Sequence, residues 1–153
     1  MNLFEPVSSI MTPFKDLVTV TLETPLAKIR EIFNTHTFHH LPVVQSREIV
    51  GIISKSDFEY FTGEGRRGAR NFQQDAEVES LVAQDIMTKR LGKVESSDRL
   101  NVVVEIFILN RFHALPVVDN GELTGIITPY DILKALAEEK VADPTSVYEN
   151  KPS

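Results

Sequence analysis

The sequence contains no cysteine among its 153 residues. This absence excludes disulfides, thiol catalysis and any metal site that needs a cysteine ligand. The chain also has no apolar run near the roughly 18 to 20 residues that cross a bilayer, and its N-terminus lacks the basic and apolar regions of a secretory signal. From these absences we expect a cytoplasmic protein with no membrane partner.

The sequence also lacks a surplus of basic residues, because it has 22 acidic and 16 basic residues and a net charge of −6. Nucleic-acid binders usually carry the opposite balance, because neutralisation of phosphates supplies most of their affinity. No nucleic-acid partner is therefore expected. A local basic cluster exists at Arg66, Arg67 and Arg70. It can be a solvated loop, a contact for a partner or, if the loop folds over a cleft, a set of contacts for ligand phosphates.

An internal duplication is the most informative feature of the sequence. The 20 residues from Phe38 to Asp57 match those from Phe112 to Asp131 at 11 positions, whereas unrelated segments would share roughly one. Upstream, Met11-Thr12 recurs as Met87-Thr88, at a shift of 76 residues instead of 74. The chain is therefore a tandem repeat.

Each half predicts the element order strand, helix, strand, strand, helix. In the first half, Val18–Val20 alternates like a short strand, and Thr24 followed by Pro25 predicts a helix with a threonine cap and a proline at its first position. Four apolar residues then recur at helical spacing: Leu26, Ile29, Ile32 and Phe33. The second half repeats this stripe with Leu100, Val103, Ile106 and Phe107.

Two apolar runs in each half predict paired strands that are joined by a turn, at residues 45–48 and at residues 119–122. A further helix is predicted to begin near Asp57 and another near Asp131. This order of strands and helices predicts an α+β fold. Because one such unit would bury too little apolar surface alone, the two β-α-β-β-α units should pack face to face. They should be related by pseudo-two-fold symmetry and form two related clefts.

The repeats divide the chain into four predicted segments. The first repeat spans residues 1–60 and the second spans residues 84–142. Residues 61–83 have no counterpart of equal length in the second half and are interpreted as a linker with an arginine- and glycine-rich turn and a short helix. Residues 143–153 are polar and contain proline, which is typical of a flexible tail.

The sequence Gly-Ile-Ile-Ser/Thr-x-x-Asp ends a strand and begins a helix in both halves. Ser54 with Asp57, and Thr128 with Asp131, have the spacing of a capping box, which is a purely structural device. The same geometry suits a nucleotide, because a helix N-terminus attracts phosphate and an aspartate can accept hydrogen bonds from a ribose diol. Both interpretations stay open at this point, since one helix start can serve both.

Met-Thr, His-x-Leu-Pro-Val-Val and Gly-Ile-Ile-Ser/Thr-x-x-Asp are each present twice over about residues 7–140. Together they resemble a tandem pair of cystathionine-β-synthase (CBS) domains, also called a Bateman module. The resemblance implies two β-α-β-β-α repeats that pack through their sheets. It also implies clefts that bind AMP, ADP, ATP or S-adenosylmethionine as a regulatory ligand, with or without Mg²⁺, and no required cofactor.

The resemblance assigns functional residues in both halves. Asp57 and Asp131 are expected at the ribose hydroxyls, and Ser54 and Thr128 beside ribose or phosphate. The base pocket is expected to be lined by Thr12, Phe38, His39, His40, Thr88, Phe112, His113 and Ala114.

The two halves differ at and next to these positions, because His40 is matched by Ala114, Lys55 by Pro129 and Ser56 by Tyr130, whose ring could stack on a base or fill the cleft. We therefore expect unequal sites, one of which binds more tightly than the other.

The resemblance further implies a stand-alone regulatory module that forms a homodimer and transmits ligand binding to an unknown protein. The alternative is a ligand-free assembly module whose helix starts are only caps. No enzyme is expected, because the sequence has no nucleophile elbow, phosphate loop or metal-binding helix motif. We expect no metal at His36, His39 and His40 either, because their spacing turns the rings in different directions.

Overall fold

The computed structural model describes residues 1–64, 72–110 and 112–141, so the predicted tail at 143–153 lies outside the described residues. Two short 3-10 turns, Val7–Ser9 and Phe14–Asp16, flank the first strand. The strands and α-helices are, in chain order, β1 (Thr12–Pro13), α1 (Leu26–Thr35), β2 (His40–Gln45), β3 (Glu48–Ser54), α2 (Lys55–Thr62), α3 (Phe72–Glu79), α4 (Ala83–Ile86), α5 (Leu100–Asn110), β4 (Leu115–Asp119), β5 (Glu122–Ile127) and α6 (Pro129–Val141).

The chain folds as two compact units whose boundaries differ from those of the sequence repeats. The first unit combines Met1–Asp16 with Gly92–Asp119 and the chain from Thr124 onward. The second unit combines Leu17–Leu91 with Asn120–Leu123. Each unit therefore contains the amphipathic helix and most of the strand hairpin of one repeat, together with the Met-Thr segment of the other repeat.

The core of the second unit lies where α1 packs on the hairpin of β2 and β3. These strands are antiparallel, from the pair His40 and Ser54 to the pair Gln45 and Glu48. The apolar face predicted for α1 is confirmed, because Leu26, Ile29, Ile32 and Phe33 are all buried. Their buried neighbours in the same cluster include Leu41, Val43, Ile53 and Phe58.

The core of the first unit is built on a three-stranded sheet with the order β1-β5-β4. On α5 the predicted stripe is confirmed, since Leu100 and Val103 are buried and Ile106 and Phe107 are partly buried against the core. Among the α6 side chains that the structure describes, Ile132 packs against this cluster. The other large apolar residues of α6, Leu133 and Leu136, are exposed.

Both predicted hairpin turns are confirmed. The two central residues have positive φ in each turn, 52° and 66° at Ser46 and Arg47, and 50° and 80° at Asn120 and Gly121. Two consecutive left-handed residues match the right-handed twist of the flanking strands. This geometry fixes the register that brings the end of each hairpin next to the start of a helix.

Two predictions for the first repeat are wrong in detail. Val18–Val20 forms no strand, because only Val20 makes a bridge, parallel to Val43. Pro25 is extended, with a ψ of 150°, and lies at the N-cap, so the helix begins at Leu26. Thr24 closes the preceding turn instead, where its Oγ1 accepts a hydrogen bond from the Thr21 N–H at 3.0 Å. An extended proline is accommodated here because it precedes the helical residues.

The Met-Thr segments join their units through backbone pairing to the Gly-Ile-Ile strands. Thr12 pairs with Ile126 in the first unit. In the second unit, Thr88 and Ile52 exchange two hydrogen bonds of 2.9 and 3.1 Å. The glycine next to each paired isoleucine leaves room for this approach.

A side chain at either glycine would collide with the paired segment. A Cβ at Gly125 would lie 2.7 Å from the Thr12 carbonyl oxygen and 2.8 Å from the Met11 Sδ. A Cβ at Gly51 would overlap the side chain of Met87. The repeated methionine and the repeated glycine are therefore parts of one contact.

Gly125→Ala should lower the free energy of unfolding by about 1 to 3 kcal/mol, because the new Cβ pushes the Thr12 backbone away from β5. Gly51→Ala meets only the flexible Met87 side chain, so adding Met87→Ala should recover part of the lost stability. Adding Met11→Ala to Gly125→Ala should not do so, since the Thr12 carbonyl remains. Urea denaturation of the single and double variants measures both couplings. If the methionine substitution restored the same free energy of unfolding to Gly51→Ala and to Gly125→Ala, the assigned contact between the Gly125 Cβ and the Thr12 carbonyl would be wrong.

The carboxylate of Asp119 ties the end of β4 to the segment that precedes α5. Its Oδ1 accepts a hydrogen bond from the Ser96 N–H at 3.0 Å, and its Oδ2 accepts one from the Thr124 hydroxyl at 2.8 Å. The bond from the Ser96 N–H is the main cause that lowers the pKa of Asp119 below its usual value, and burial opposes it.

At neutral pH, Asp119→Asn should therefore lower the stability by about 1 kcal/mol. The Asp119 carboxylate binds a proton less readily in the folded protein than in the unfolded chain. Its stabilisation is thus present above the unfolded pKa of about 3.9 and is lost as the pH falls through the lower native value. Urea midpoints of both proteins between neutral and strongly acidic pH check this. A difference that stays constant down to the lowest pH would count against it.

Candidate functional site

The residues that the sequence assigns to ligand binding fall into two sets, one in each unit. Site 1, in the first unit, comprises Thr12, Phe112, His113, Ala114, Thr128 and Asp131. Site 2, in the second unit, comprises Phe38, His39, His40, Ser54, Asp57 and Thr88. Each set combines the helix start of one repeat with the threonine of the other repeat, a pairing that the sequence did not specify.

Asp131 is anchored in site 1 by a complete capping box. Its Oδ2 accepts hydrogen bonds from the Thr128 N–H at 2.8 Å and from the Thr128 hydroxyl at 3.0 Å, while its own N–H donates to the Thr128 Oγ1 at 3.4 Å. The Thr12 hydroxyl donates to the Asp131 Oδ1 at 3.5 Å. The capping interpretation is confirmed for α6, and Oδ1 retains a lone pair that can accept another donor.

Asp57 in site 2 is held only through its backbone. Ser54 caps α2 because its Oγ accepts a hydrogen bond from the Asp57 N–H at 3.0 Å. The Asp57 side chain is exposed, and its carboxylate receives no hydrogen bond from the described part of the chain. The cap of α2 therefore leaves this carboxylate available.

The two sites also differ in how the residues before the hairpin are fixed. In site 2, the Lys55 N–H donates to the His39 carbonyl oxygen at 2.7 Å, which holds the segment before β2 against the start of α2. The matching residue in site 1 is Pro129, which has no N–H to donate to His113. The two sites thus differ in their backbone contacts as well as in their side chains.

The aromatic and histidine residues of the two sites have unequal surroundings. Phe38 is partly buried and packs edge-on against Phe33 in the core, with 6.4 Å between ring centroids. Phe112, by contrast, is 38% exposed and offers its ring to solvent. His39 and His113 are exposed at matching positions. Phe38 is therefore partly a core residue, whereas Phe112 lies nearer the surface, with the edge of its ring beside Gly92.

The histidine at the end of α1 has a structural partner. The His36 Nδ1 lies 2.9 Å from the Ile32 carbonyl oxygen, which also accepts a hydrogen bond from the His36 backbone N–H at 3.1 Å, so a ring N–H can add a further hydrogen bond at this helix C-terminus. Across residues 1–64, 72–110 and 112–141, no three side chains of His, Asp or Glu come together as a set of metal ligands.

The arginines at 66, 67 and 70 lie outside the described residues. Arg30 of α1 pairs with Glu64, which precedes that segment, at 2.5 Å, and with Glu79, at the end of α3, at 2.8 Å.

Two cationic residues that the sequence analysis did not select stand next in the chain to a residue of site 2. Lys89 and Arg90 follow Thr88 directly and are exposed. The sequence could have indicated these two residues. At the matching positions after Thr12, the first repeat has Pro13 and Phe14, which carry no charge.

The two aspartates should make different contributions to the stability of the free protein. Asp131→Ala removes the bonds to the Thr128 N–H and hydroxyl, and should lower the free energy of unfolding by about 1 to 2 kcal/mol. Asp57→Ala leaves the Ser54 cap in place and removes only a charge near a helix N-terminus, so we expect a loss of about 0.5 kcal/mol. Chemical denaturation without ligand checks the order. A larger loss for Asp57→Ala would contradict the assigned contacts.

Within the described ranges, no helix combines the length and the apolar character that a membrane crossing requires.

Comparison with known proteins gives the site a family context. The CBS domain family model matches the chain twice, over residues 7–60 and 82–138. Protein MJ1404 of Methanocaldococcus jannaschii, itself uncharacterised, is 36% identical over 148 residues, which are 96% of this chain and 32% of that protein. The inosine-5′-monophosphate dehydrogenase of Thermoplasma acidophilum is 31% identical over 120 residues, which are 78% of this chain but only 21% of the enzyme. The chain thus spans a third or less of these two relatives.

A solved structure extends the comparison to the fold. The CBS-pair protein CBSX2 of Arabidopsis thaliana, crystallised in complex with AMP, superimposes with a TM-score of 0.74 at 26% identity, over 89% of this chain and 98% of that chain. The mixed α+β fold that the sequence predicts is confirmed by this likeness. The chain belongs to the CBS domain family and carries a tandem pair of these domains.

Proposed function

We propose that this chain is a regulatory CBS-pair module that binds an adenosine-containing ligand and transmits the binding to another protein. The observation that carries the proposal is the exposed Asp57 carboxylate at the start of α2. The helix cap uses only the Asp57 N–H, so the carboxylate takes no part in the capping hydrogen bonds. A carboxylate in this position can accept hydrogen bonds from both hydroxyls of a ribose.

Site 1 supports the same function with a more rigid arrangement. Asp131 is fixed by Thr128 and Thr12, and its Oδ1 can still accept a further hydrogen bond. A fixed acceptor loses little conformational freedom when a ligand binds. The AMP complex of CBSX2 supports an adenosine-type ligand, and AMP, ADP, ATP and S-adenosylmethionine are the candidates.

The structure offers a route by which a ligand could act on the fold. In each unit, the threonine segment of one repeat pairs with the strand that leads to the aspartate of the other repeat. A ligand that contacts both parts stabilises this pairing and therefore favours the state in which it is formed. The size of the regulatory effect equals the difference in ligand affinity between the two states.

We further propose that the module acts as a homodimer in the cytoplasm and has no catalytic activity of its own. Three exposed apolar side chains support an interaction surface in the first unit: Ile108 and Leu109 of α5 are 72% and 77% exposed, and Leu133 of α6 is 64% exposed. Exposed apolar groups of this kind mark protein interfaces when they form a patch.

A thermal-shift titration with AMP, ADP, ATP and S-adenosylmethionine, with and without Mg²⁺, tests the function. A ligand that binds only the folded state adds about 2.7 kcal/mol of stability at a hundredfold excess over its dissociation constant, which raises the melting temperature by several degrees. We expect such a shift for at least one of these ligands. In the Asp57→Ala, Asp131→Ala double variant, the shift should disappear although the protein still unfolds cooperatively.

The competing function is a ligand-free assembly module, for which the helix starts are only caps. The capping bonds of Ser54 and Thr128 are the observation that favours it. In that case none of the ligands would shift the melting temperature, and the double variant would differ from the wild type only in its basal stability.

A further inference from the structure

We propose that the two sites divide their ligands by charge: site 2 binds a nucleoside polyphosphate, and site 1 binds a nucleoside without phosphates. This inference rests on the proposed function, because it assumes that both sites accept an adenosine moiety. It goes further in assigning a ligand class to each site from the charged residues around it.

Three cationic residues stand next in the chain to residues of site 2. Lys55 follows the capping Ser54 and is partly buried, and Lys89 and Arg90 follow Thr88 and are exposed. None of the three forms an ion pair with a carboxylate in the part of the chain that the structure describes. The carboxylate among the residues of this site is Asp57, so positive charge predominates here.

The matching positions around site 1 are neutral. Pro129 replaces Lys55, and Pro13 and Phe14 replace Lys89 and Arg90. The charged residues that remain are Lys15 and Asp16, next to Phe14, and Asp131 itself. The residues of site 1 and those next to them in the chain thus carry two carboxylates and one cation, so negative charge predominates.

An aromatic ring adds to this difference. Tyr130 stands in the first turn of α6, where α2 has Ser56, and it is 70% exposed. The flat ring offers apolar surface next to Asp131, which suits a nucleoside or its uncharged substituent rather than a chain of phosphates.

Backbone donors at the helix starts cannot reverse this assignment. In α2, the N–H groups of Lys55 and Asp57 already donate to His39 and Ser54. In α6, Pro129 has no N–H and the Asp131 N–H donates to Thr128. Each start thus has one uncommitted N–H within its first three residues, and the side-chain charges decide between the sites. Hydrogen bonds from Lys or Arg to phosphate are among the strong ones in proteins, and a carboxylate repels the same group.

Isothermal titration calorimetry of the full chain with ATP and, separately, with adenosine tests the proposal. The variant Lys89→Gln, Arg90→Gln should bind ATP at least about tenfold more weakly, because two charge-assisted contacts are lost. Its affinity for adenosine should stay within about twofold of the wild-type value. Lys15→Gln removes a cation near site 1 and is the matched control, for which ATP binding should not change.

The aspartate variants assign each ligand to its site. Asp57→Ala should abolish ATP binding and leave adenosine binding intact, and Asp131→Ala should do the reverse, at a temperature at which both variants are folded by circular dichroism. Unchanged ATP affinity in Lys89→Gln, Arg90→Gln, or loss of ATP binding in Asp131→Ala, would overturn the division of ligands while the proposed function stands. A wild-type chain that binds neither ATP nor adenosine would overturn both.

Discussion

The backbone pairing between each Met-Thr segment and the Gly-Ile-Ile strand is the contact on which both units depend. It brings Thr12 beside Ile126 and Thr88 beside Ile52, and so joins a segment of one repeat to the hairpin of the other. The same pairing brings a threonine toward the helix start that follows the strand. Fold and candidate site therefore share one contact, and a change that separates these segments should affect both.

The elements of this fold could be predicted because each is encoded locally. The apolar stripe from Leu26 to Phe33 and the left-handed turn at Asn120 and Gly121 are properties of short segments. The exchange of the Met-Thr segments could not be predicted in this way, since it depends on which strand has room beside a glycine. The sequence also could not show that Pro25 lies at the N-cap. A proline is compatible both with the N-cap and with the first helical position, so the residue type does not distinguish them.

The residues of the candidate site stay a prediction from sequence, whereas the contacts that each group makes could be known only from the structure. The spacing of Ser54 and Asp57 equals that of Thr128 and Asp131, yet only the second pair forms the complete capping box among the described residues. The difference arises from side-chain rotation and from Thr12, which approaches Asp131 through the exchanged segment. Sequence spacing thus identified two equivalent motifs, whereas the structure gives one anchored and one available carboxylate.

A duplicated fold can acquire two specificities when the residues that hold it together differ from those that surround the ligand. Here the shared residues are the buried ones, such as Leu41 and Leu115 in the two hairpins and Gly51 and Gly125 beneath the methionines. The charges that differ stand on exposed or partly buried positions, where substitutions usually change stability by less than about 0.5 kcal/mol. Lys89 and Arg90 could therefore diverge from Pro13 and Phe14 without loss of the common fold. The proposed division of ligands between the two sites is compatible with one shared fold, because the buried residues that stabilise the fold are separate from the exposed residues that differ.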